Sequence, residues 1–268
     1  MKDKVVVITG GSSGIGRALA QEFGSHGCKV LISGRNPMQV DATVSALRAR
    51  GIQIEGFVGD VSVEKDNSEM ARFAIEKFGT IDVLINNAGI SMRALFEDVD
   101  LVVVKKVMDV NFYGVLYATK YCLQEIIKNK GSIVGISSVA GYRGLPGRTG
   151  YSASKFALNG FLEVLRTELL KTGVHVLTAC PGFTSSNIRK NALTKDGTHQ
   201  GESPRAEDEM MSAEEVARHI YRATLKRKRQ LILTTQGKFA ILLNKWFPAW
   251  ADKLVYNAMA KEKNAPVK

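Results

Sequence analysis

The chain has 268 residues, of which 45% are hydrophobic, and it carries a formal net charge of +11. That length suits one large α/β domain or two small ones, and the apolar fraction is ordinary for a globular protein with a sizeable core. Three widely spaced cysteines, Cys28, Cys122 and Cys180, argue against a disulfide framework and a paired-cysteine metal site, and they fit a reducing, cytoplasmic setting.

The sequence has no segment typical of export or of membrane spanning. Its N-terminal apolar run covers only residues 5–8, which is too short for the core of a signal peptide. No stretch approaches the ~18 apolar residues of a spanning helix. The four histidines, at positions 26, 175, 199 and 219, form no spaced cluster, so we expect no metal site.

Short apolar runs alternate with longer helical patterns along the whole chain. The predicted strands cover 5–9, 29–33, 52–58, 82–86, 132–137, 174–179 and 230–234, and the predicted helices include 14–26, 38–50, 64–77, 101–128, 151–171 and 212–226. Most of the runs are continuous rather than alternating, which is typical of strands buried on both faces. This pattern predicts an α/β fold with a doubly wound sheet of seven mostly parallel strands and helices on both faces.

The first predicted strand leads into the sequence TGGSSGIG at residues 9–16 and then into a helix. Glycine permits positive φ and lets a ligand approach the backbone, and a helix N-terminus offers free N–H groups to a pyrophosphate. The spacing of Gly10, Gly14 and Gly16 is a variant of the dinucleotide fingerprint. A plain tight turn is the alternative, but the place between the first strand and the first helix favours a dinucleotide site.

The end of the second predicted strand bears on the choice of cofactor. An acidic residue there favours NAD, whereas a nearby arginine accommodates the 2′-phosphate of NADP. Here Gly34 is followed by Arg35 and the acidic residue is missing. We expect an unpaired Arg35 guanidinium that binds the phosphate through two N–H groups, so the sequence favours NADP(H). A surface arginine at a strand end is the alternative.

Several motifs, in order along the chain, resemble those of the short-chain dehydrogenase/reductase family over residues 4–235. They are TGGSSGIG at 9–16, GDV at 59–61, NNAG at 86–89, Asn111 within VNFYG, ISS at 136–138, Tyr151 and Lys155 as Y-x-x-x-K, and PG at 181–182. The 13-residue step from Ser138 to Tyr151 also fits. The resemblance implies a single-domain Rossmann-type fold and an oxidoreductase that forms a homodimer or homotetramer.

The resemblance and the glycine turn together assign two sets of site residues. The catalytic residues would be Asn111, Ser138, Tyr151 and Lys155. The cofactor-binding residues would be Gly10, Ser12, Ser13, Gly14, Ile15, Gly16, Arg35, Asp60, Val61, Asn87, Ala88, Gly89, Tyr151, Lys155, Pro181, Gly182 and Thr184. The family often has a threonine shortly after Pro-Gly, where this chain has Ser186 with Thr184 nearby.

The pair formed by Tyr151 and Lys155 suits proton transfer. Four positions apart on a helix, the two side chains lie on one face. A free tyrosine has a pKa near ~10, and we expect the neighbouring ammonium to lower it towards neutral pH. By resemblance, Tyr151 would protonate a carbonyl oxygen that Ser138 stabilises, Lys155 would hold the nicotinamide ribose, and Asn111 would anchor a water connected to Lys155. Taken alone, the pair is more typical of an exposed helix surface.

We predict a dinucleotide-binding and catalytic domain over residues 1–235 and a basic amphipathic extension over 236–268. Within the domain, residues 183–211 are polar with little periodicity, which is typical of a substrate lid or of a disordered segment. The sequence NALTKDGTHQG in this segment resembles a loop of the 11β-hydroxysteroid dehydrogenase-like subgroup, whose members associate with membranes.

The C-terminal part of the sequence carries most of the excess charge. Ten basic and two acidic residues lie within 226–268, and Trp246, Phe247 and Trp250 stand among the lysines. Aromatic residues with a basic rim suit a helix that lies in a membrane interface. A solvated face, or a helix that docks at a dimer interface or over the substrate cleft, is the alternative. We expect no nucleic-acid binding, since no base-reading or stacking module is visible.

The sequence thus predicts an NADP(H)-dependent oxidoreductase that interconverts a ketone or aldehyde and a secondary alcohol, with a hydrophobic or lipid-like substrate. The setting would be cytoplasmic, with possible contact to a membrane surface. The alternative is a non-catalytic cofactor-binding sensor or scaffold that acts through its basic tail.

Overall fold

The computed structural model describes residues 1–185, 187–204 and 210–267. The strands are β1 Val5–Thr9, β2 Lys29–Gly34, β3 Ile54–Val58, β4 Val83–Asn86, β5 Ser132–Ile136, β6 His175–Cys180 and β7 Gln230–Ile232. They form one sheet in the order β3-β2-β1-β4-β5-β6-β7, and every neighbouring pair is parallel. The predicted doubly wound sheet is confirmed, and it is wholly rather than mostly parallel.

Helices cover both faces of this sheet. They are α1 Gly14–Ser25, α2 Pro37–Arg48, α3 Glu64–Phe78, α4 Leu101–Met108, α5 Gly114–Lys128, α6 Thr149–Glu168, α7 Ala213–Leu225, α8 Thr235–Trp246 and α9 Pro248–Ala260. One hydrophobic core joins the sheet to α1, α2 and α7, and a second joins the other face to α3, α5 and α6. The helices therefore form the outer layers of a three-layer sandwich.

Strand β1 shows why the apolar runs are continuous. All five of its residues are buried. Val6 and Ile8 face the core formed with α1, whereas Val7 faces the core formed with α3 and α5. Successive strand side chains point to opposite faces, so a strand covered on both sides must be apolar at every position.

The predicted helix at 101–128 is wrong in one respect. It is interrupted between α4 and α5 by a single π-helical turn, Asp109–Tyr113, which contains Asn111. Single π turns inside α-helices occur frequently at functional sites. The apolar periodicity of this segment cannot reveal one extra residue in a turn, so the sequence predicts a continuous helix instead.

The sheet topology fixes where a ligand would bind. The chain proceeds outward from β1 to β3 on one side and from β4 to β7 on the other, so the order reverses between β1 and β4. In open parallel sheets, ligands bind outside the carboxyl ends of the strands at such a switch point. The segments after β1, β4, β5 and β6 all begin at this edge.

Two helices follow the last strand, α8 and α9. Arg143 fixes them to the segment after β5, because its guanidinium donates to Asn244 Oδ1 at 3.0 Å and to Asp252 Oδ1 at 2.5 Å. Neither α8 nor α9, nor any other helix in the described ranges, combines the length and hydropathy needed to cross a bilayer.

Candidate active site

The turn after β1 needs glycine for two different reasons. Gly10 has φ of +64°, in the left-handed region that favours glycine. At Gly16, a Cβ would lie 2.2 Å from the carbonyl oxygen of Gly10 and 2.5 Å from Asn87 Nδ2. Helix α1 can therefore begin this close to β1 and β4 only with glycine at position 16, and its first backbone N–H groups face the edge of the sheet.

Polar side chains connect this turn to the segment after β4. Asn87 Nδ2 donates to the carbonyl oxygens of Thr9 and Gly10, at 2.9 and 3.0 Å. In return, the backbone N–H groups of Asn87 and Ala88 donate to Thr9 Oγ1, each at 3.1 Å. The NNAG motif thus has a structural role in holding the two loops of the switch point together.

Arg35 lies at the end of β2 as expected, but the expectation that it is unpaired is wrong. Its Nη1 lies 3.8 Å from Asp60 Oδ2, and the Arg35 side chain is 58% exposed. Asp60 also accepts hydrogen bonds from the N–H and hydroxyl groups of Ser62. The acidic residue that is missing at the end of β2 is therefore supplied by the loop after β3. Strand β3 is the neighbour of β2, and its carboxyl end lies at the same edge of the sheet.

A cavity of about 620 Å³ lies along this edge of the sheet. Nearly all of the site residues named from the sequence contribute to its wall. These are Gly10, Ser12, Ser13, Gly14, Ile15, Gly16, Arg35, Asp60, Val61, Asn87, Ala88, Gly89, Ser138, Tyr151, Lys155, Pro181, Gly182 and Thr184. The cavity is therefore continuous from the glycine turn to Tyr151.

Ser138 and Tyr151 come to this cavity from different elements. Ser138 follows β5 and caps a short 3₁₀ turn, Val139–Gly141, because its Oγ accepts the N–H of Ala140 at 3.1 Å. Tyr151 lies in the first turn of α6 and is partly buried. The Ser138 hydroxyl is close enough to interact with the phenol.

Lys155 is buried, one turn along α6 from Tyr151. Its Nζ donates to the carbonyl oxygen of Ile136 at 2.9 Å and lies 5.8 Å from the centroid of the Tyr151 ring. Burial lowers the pKa of this ammonium to about 8. The amine is thus oriented by the end of β5.

The expectation that Lys155 lowers the pKa of Tyr151 towards neutral pH is wrong, because this pKa is raised overall. Burial raises it above the ordinary value for tyrosine, while the Ser138 hydroxyl and the charges of Arg148 and Arg189 lower it. Lys155 is not among the groups that shift it. The positive charges that act to lower this pKa are those of Arg148 and Arg189, two residues that the sequence does not single out.

Asn111 lies behind the cavity wall and is fully buried. Its Oδ1 accepts the N–H of Ile90 at 2.8 Å, and its Nδ2 donates to the carbonyl oxygen of Ile90 and to Ser154 Oγ, each at 2.9 Å. Ser154 in turn donates to the carbonyl oxygen of Tyr151 at 2.7 Å. The side chain therefore joins the loop after β4 to the first turns of α6.

The segment after β6 closes the cavity on its remaining side. At Gly182, a Cβ would lie 2.1 Å from Thr234 Cγ2, so this turn packs directly on the start of α8. Thr184 is buried and donates to the carbonyl oxygen of Gly182 at 3.1 Å. Ser186, the residue at the position of the family's frequent threonine, lies outside the described residues.

A family model described as short chain dehydrogenase matches residues 4–197. The chain is a member of the short-chain dehydrogenase/reductase family. It is accordingly an oxidoreductase with a Rossmann nucleotide-binding fold.

Curated relatives of this short-chain dehydrogenase/reductase match over most of their length. Dehydrogenase/reductase SDR family member 7B of Mus musculus is 36% identical over 239 residues, which cover 87% of this chain and 74% of the mouse protein. The Rattus norvegicus protein of the same name is 33% identical over 97% of this chain and 81% of its own length. These names support an enzyme rather than the non-catalytic alternative.

Solved structures agree with the fold of this short-chain dehydrogenase/reductase. A short-chain dehydrogenase/reductase from Burkholderia phymatum in complex with NAD has a TM-score of 0.84 at 24% identity, covering 93% of this chain and 95% of that one. The apo form of LigD from Sphingobium sp. strain SYK-6 has a TM-score of 0.78 at 26% identity, covering 94% and 97%.

Several residues of the cavity wall are not found by sequence reasoning. They include Arg148, Arg189, His199 and Met259. Arg148 stands one helical turn before Tyr151, and that spacing is a usable signal for a contact between the two. The other three come from the loop after β6 and from α9, and their approach to the cavity depends on tertiary packing without a local pattern.

Burial of the Lys155 ammonium predicts that the stability of the folded chain depends on pH. Its pKa in the folded chain is about 8, below the ordinary 10.5, so between these values the unfolded chain binds more protons and this group favours folding increasingly as pH rises. We expect the free energy of unfolding of the wild type, relative to Lys155→Met, to increase by about 2 kcal/mol from pH 7 to pH 9.5 in urea titrations. A difference that does not change with pH would contradict this.

Proposed function

We propose that the protein is an NADP(H)-dependent oxidoreductase that interconverts a ketone or aldehyde and the corresponding alcohol, with Tyr151 as the acid and base. One observation carries the proposal: Ser138, Tyr151 and Lys155 contribute to the same continuous cavity as the glycine turn. A hydroxyl, a phenol and an ammonium lie at one end of the cavity, and a glycine turn of the kind that binds phosphate lies at the other. This arrangement suits a dinucleotide whose reactive ring lies beside an acid–base group.

The residues present fit such a dinucleotide. The N-terminus of α1 begins at Gly14, where backbone N–H groups and the helix dipole favour a pyrophosphate. Glycine at position 16 allows α1 to begin close to β1, so that the N-terminus of the helix lies at the edge of the sheet where the pyrophosphate would bind. Asp60 and Val61 would contact the adenine, and Pro181 and Gly182 would flank the nicotinamide. When bound, the reduced nicotinamide supplies the hydride to the carbonyl carbon.

The chain's own residues would then control the substrate oxygen. Tyr151 would donate its proton to that oxygen during reduction and recover it from the alcohol in the reverse direction. Ser138 Oγ would hold the oxygen by a hydrogen bond as negative charge develops on it. Lys155 Nζ, buried and oriented by the carbonyl oxygen of Ile136, would hold the ribose of the cofactor. Asn111 would hold the loop after β4 in place against the first turns of α6.

The proposed preference for NADP(H) depends on Arg35. Its side chain is largely exposed at the end of β2, beside Ser12 and Gln39 in the cavity wall. The 3.8 Å distance to Asp60 is that of a loose ion pair, which is weak at an exposed site. A 2′-phosphate would offer the guanidinium a doubly charged partner with bidentate geometry, and this favours exchange of the carboxylate for the phosphate.

The acid–base role is tested by Tyr151→Phe with Tyr142→Phe as the matched control. Tyr142 is a second half-buried tyrosine after β5, whose hydroxyl accepts from Gln230 Nε2 at 2.7 Å. We expect Tyr151→Phe to lower kcat for NADPH-dependent ketone reduction by at least ~100-fold with NADPH affinity retained, since general acid–base catalysis contributes ~10²–10⁴-fold. Tyr142→Phe should stay within about threefold of the wild type. Comparable activity in Tyr151→Phe would exclude the mechanism.

The cofactor preference is tested by Arg35→Asp. The new carboxylate would repel a 2′-phosphate and accept hydrogen bonds from a ribose 2′-hydroxyl, so we expect the ratio of kcat/KM for NADPH to that for NADH to fall by at least ~100-fold. Steady-state rates with each cofactor and one ketone measure it. An unchanged ratio would contradict phosphate binding at Arg35 and would indicate that Ser12 or Arg17 binds the phosphate instead.

The proposed substrate is hydrophobic or lipid-like. Leu145, Phe183 and Met259 contribute apolar surface to the cavity that contains Tyr151. We also propose a homodimer or homotetramer formed through α4, α5 and α6, which display the exposed side chains Val102, Tyr121, Phe156 and Val164. A cytoplasmic compartment is supported by the free state of all three cysteines.

We further propose that α8 and α9 contact an anionic membrane surface. They expose Phe239, Leu242, Trp246, Phe247, Trp250 and Leu254. Three exposed lysines, at 238, 245 and 253, stand on the same two helices, and Lys245 Nζ lies 5.5 Å from the centroid of the Trp246 ring. Aromatic residues settle at the headgroup level, and lysines add attraction to anionic lipid.

Vesicle co-sedimentation tests this contact. We expect binding to phosphatidylserine-containing vesicles that falls by at least ~10-fold in the double variant Trp246→Ala/Trp250→Ala, because the two rings supply much of the apolar area that enters the interface. The matched control is Met38→Ala/Leu225→Ala, which removes two exposed apolar side chains from α2 and α7. Equal loss in the two double variants, or no binding by the wild type, would contradict the proposal.

A further inference from the structure

The end of the chain reaches the active-site cavity. Met259, near the end of α9, is buried and contributes to the cavity wall. Seven residues later, Pro266 packs on the loop before α6, where a Cβ at Gly147 would lie 2.5 Å from Pro266 Cγ. The end of α9 therefore forms part of the cavity wall, although it is more than 100 residues from Tyr151 in the sequence, and the turn after α9 packs on the loop that precedes Tyr151.

Glu262 lies in this turn with its side chain only 2% exposed. Its Oε2 is 3.4 Å from Arg148 Nη2 and 3.5 Å from Arg93 Nη2. Arg93 also donates to the carbonyl oxygen of Lys263 at 2.8 Å. One buried carboxylate thus stands between two buried guanidiniums, one from the segment after β4 and one from the residue that precedes α6.

Arg148 connects this ion cluster to the proposed chemistry. It is buried, contributes to the cavity wall, and stands one helical turn before Tyr151. Its positive charge acts on the Tyr151 phenol. A group that holds the Arg148 guanidinium in place therefore also influences the phenol, together with burial, Ser138 and Arg189.

A buried ion cluster of this kind is a costly way to attach a chain end. Desolvation of the charges offsets much of their attraction, and apolar residues of similar volume would stabilise the contact equally well. The same turn also has an exposed attachment, Lys263 Nζ to Glu202 Oε2 at 2.9 Å. The buried cluster is therefore better explained by what it does to Arg148 than by attachment alone.

We infer that Glu262 is a positioning residue for the reaction: its carboxylate holds the Arg148 guanidinium in the cavity wall beside Tyr151, and the C-terminal turn thereby completes the substrate end of the site. The inference rests on the proposed function for its kinetic consequences. Glu262 itself touches neither the substrate nor the reacting atoms and acts through Arg148.

The experiment compares Glu262→Gln, the conservative Glu262→Asp, and Lys263→Gln, which breaks the exposed attachment of the same turn. We expect Glu262→Gln to lower kcat/KM for the ketone by about 10-fold to 100-fold, the order expected when a misplacement reaches the reacting groups. NADPH affinity should stay within about twofold. Glu262→Asp should recover part of the loss, and Lys263→Gln should match the wild type.

A double-mutant cycle with Arg148→Gln shows whether Glu262 acts through Arg148. If it does, Glu262→Gln adds less than about threefold to the loss already caused by Arg148→Gln, because the two act as one unit. Fully multiplicative losses would overturn the inference. So would wild-type kinetics in Glu262→Gln, higher activity in Glu262→Gln, or an equal loss in Lys263→Gln.

A crystal structure of Glu262→Gln supplies a readout that does not depend on turnover. We expect the Arg148 guanidinium to leave the cavity wall, and an unchanged Arg148 position would overturn the inference. If the wild type reduces no carbonyl compound while Arg148 does move, the proposed function fails and the positional role of Glu262 stands.

Discussion

The hydrogen bonds of Asn111 are the interaction on which the candidate site most depends. Through Ile90 they fix the loop after β4, and through Ser154 they fix the first turns of α6, which carry Tyr151 and Lys155. Because Asn111 is fully buried, removing its amide would take away the hydrogen bonds it makes to the N–H and carbonyl groups of Ile90 and would leave Ser154 Oγ with its bond to the Tyr151 carbonyl. The π-helical turn around Asn111 gives this side chain its direction.

The remaining site residues are positioned by the parallel sheet. The turn after β1, the Thr9 and Asn87 hydrogen bonds, Ser138 after β5 and Gly182 after β6 meet at one edge because the carboxyl ends of parallel strands share that edge. Lys155 is then oriented by the last carbonyl group of β5. Ser138, Tyr151, Lys155 and the glycine turn are thus each attached to a buried strand or to a helix, whereas the loop after β6 supplies the remaining side of the cavity wall.

Local patterns in the sequence were sufficient for the fold and for the glycine turn, whereas most of the other residues of the cavity wall were assigned by resemblance to the family's motifs. Continuous apolar runs identify buried parallel strands, and glycines at a strand-to-helix turn identify the phosphate-type end, because both follow from backbone geometry over a few residues. The π-helical turn at Asn111 could not be predicted, since one additional residue in a turn barely alters the periodicity. Arg35 and Asp60 form an ion pair because β2 and β3 are neighbours in the sheet. Only the strand order of the folded sheet shows that these two strands are neighbours.

The contacts that the C-terminal turn makes near the cavity were the hardest feature to predict from the sequence. Glu262 meets Arg93 and Arg148 only after α8 and α9 have packed on the segment that follows β5, and none of the three residues belongs to a motif. The same packing leaves the aromatic residues of α8 and α9 exposed. Part of the cavity wall, including Arg148 and Met259, therefore comes from parts of the chain that carry no motif.

The proposed mechanism depends most on the Tyr151 and Ser138 hydroxyl groups forming hydrogen bonds with the same reacting oxygen. A crystal structure with NADP⁺ and a bound alcohol or ketone measures this directly. We expect both hydroxyl oxygens within hydrogen-bond distance of the substrate oxygen, with the carbon that bears this oxygen facing the nicotinamide. A Tyr151 hydroxyl turned away from a substrate seated against the nicotinamide would contradict this mechanism.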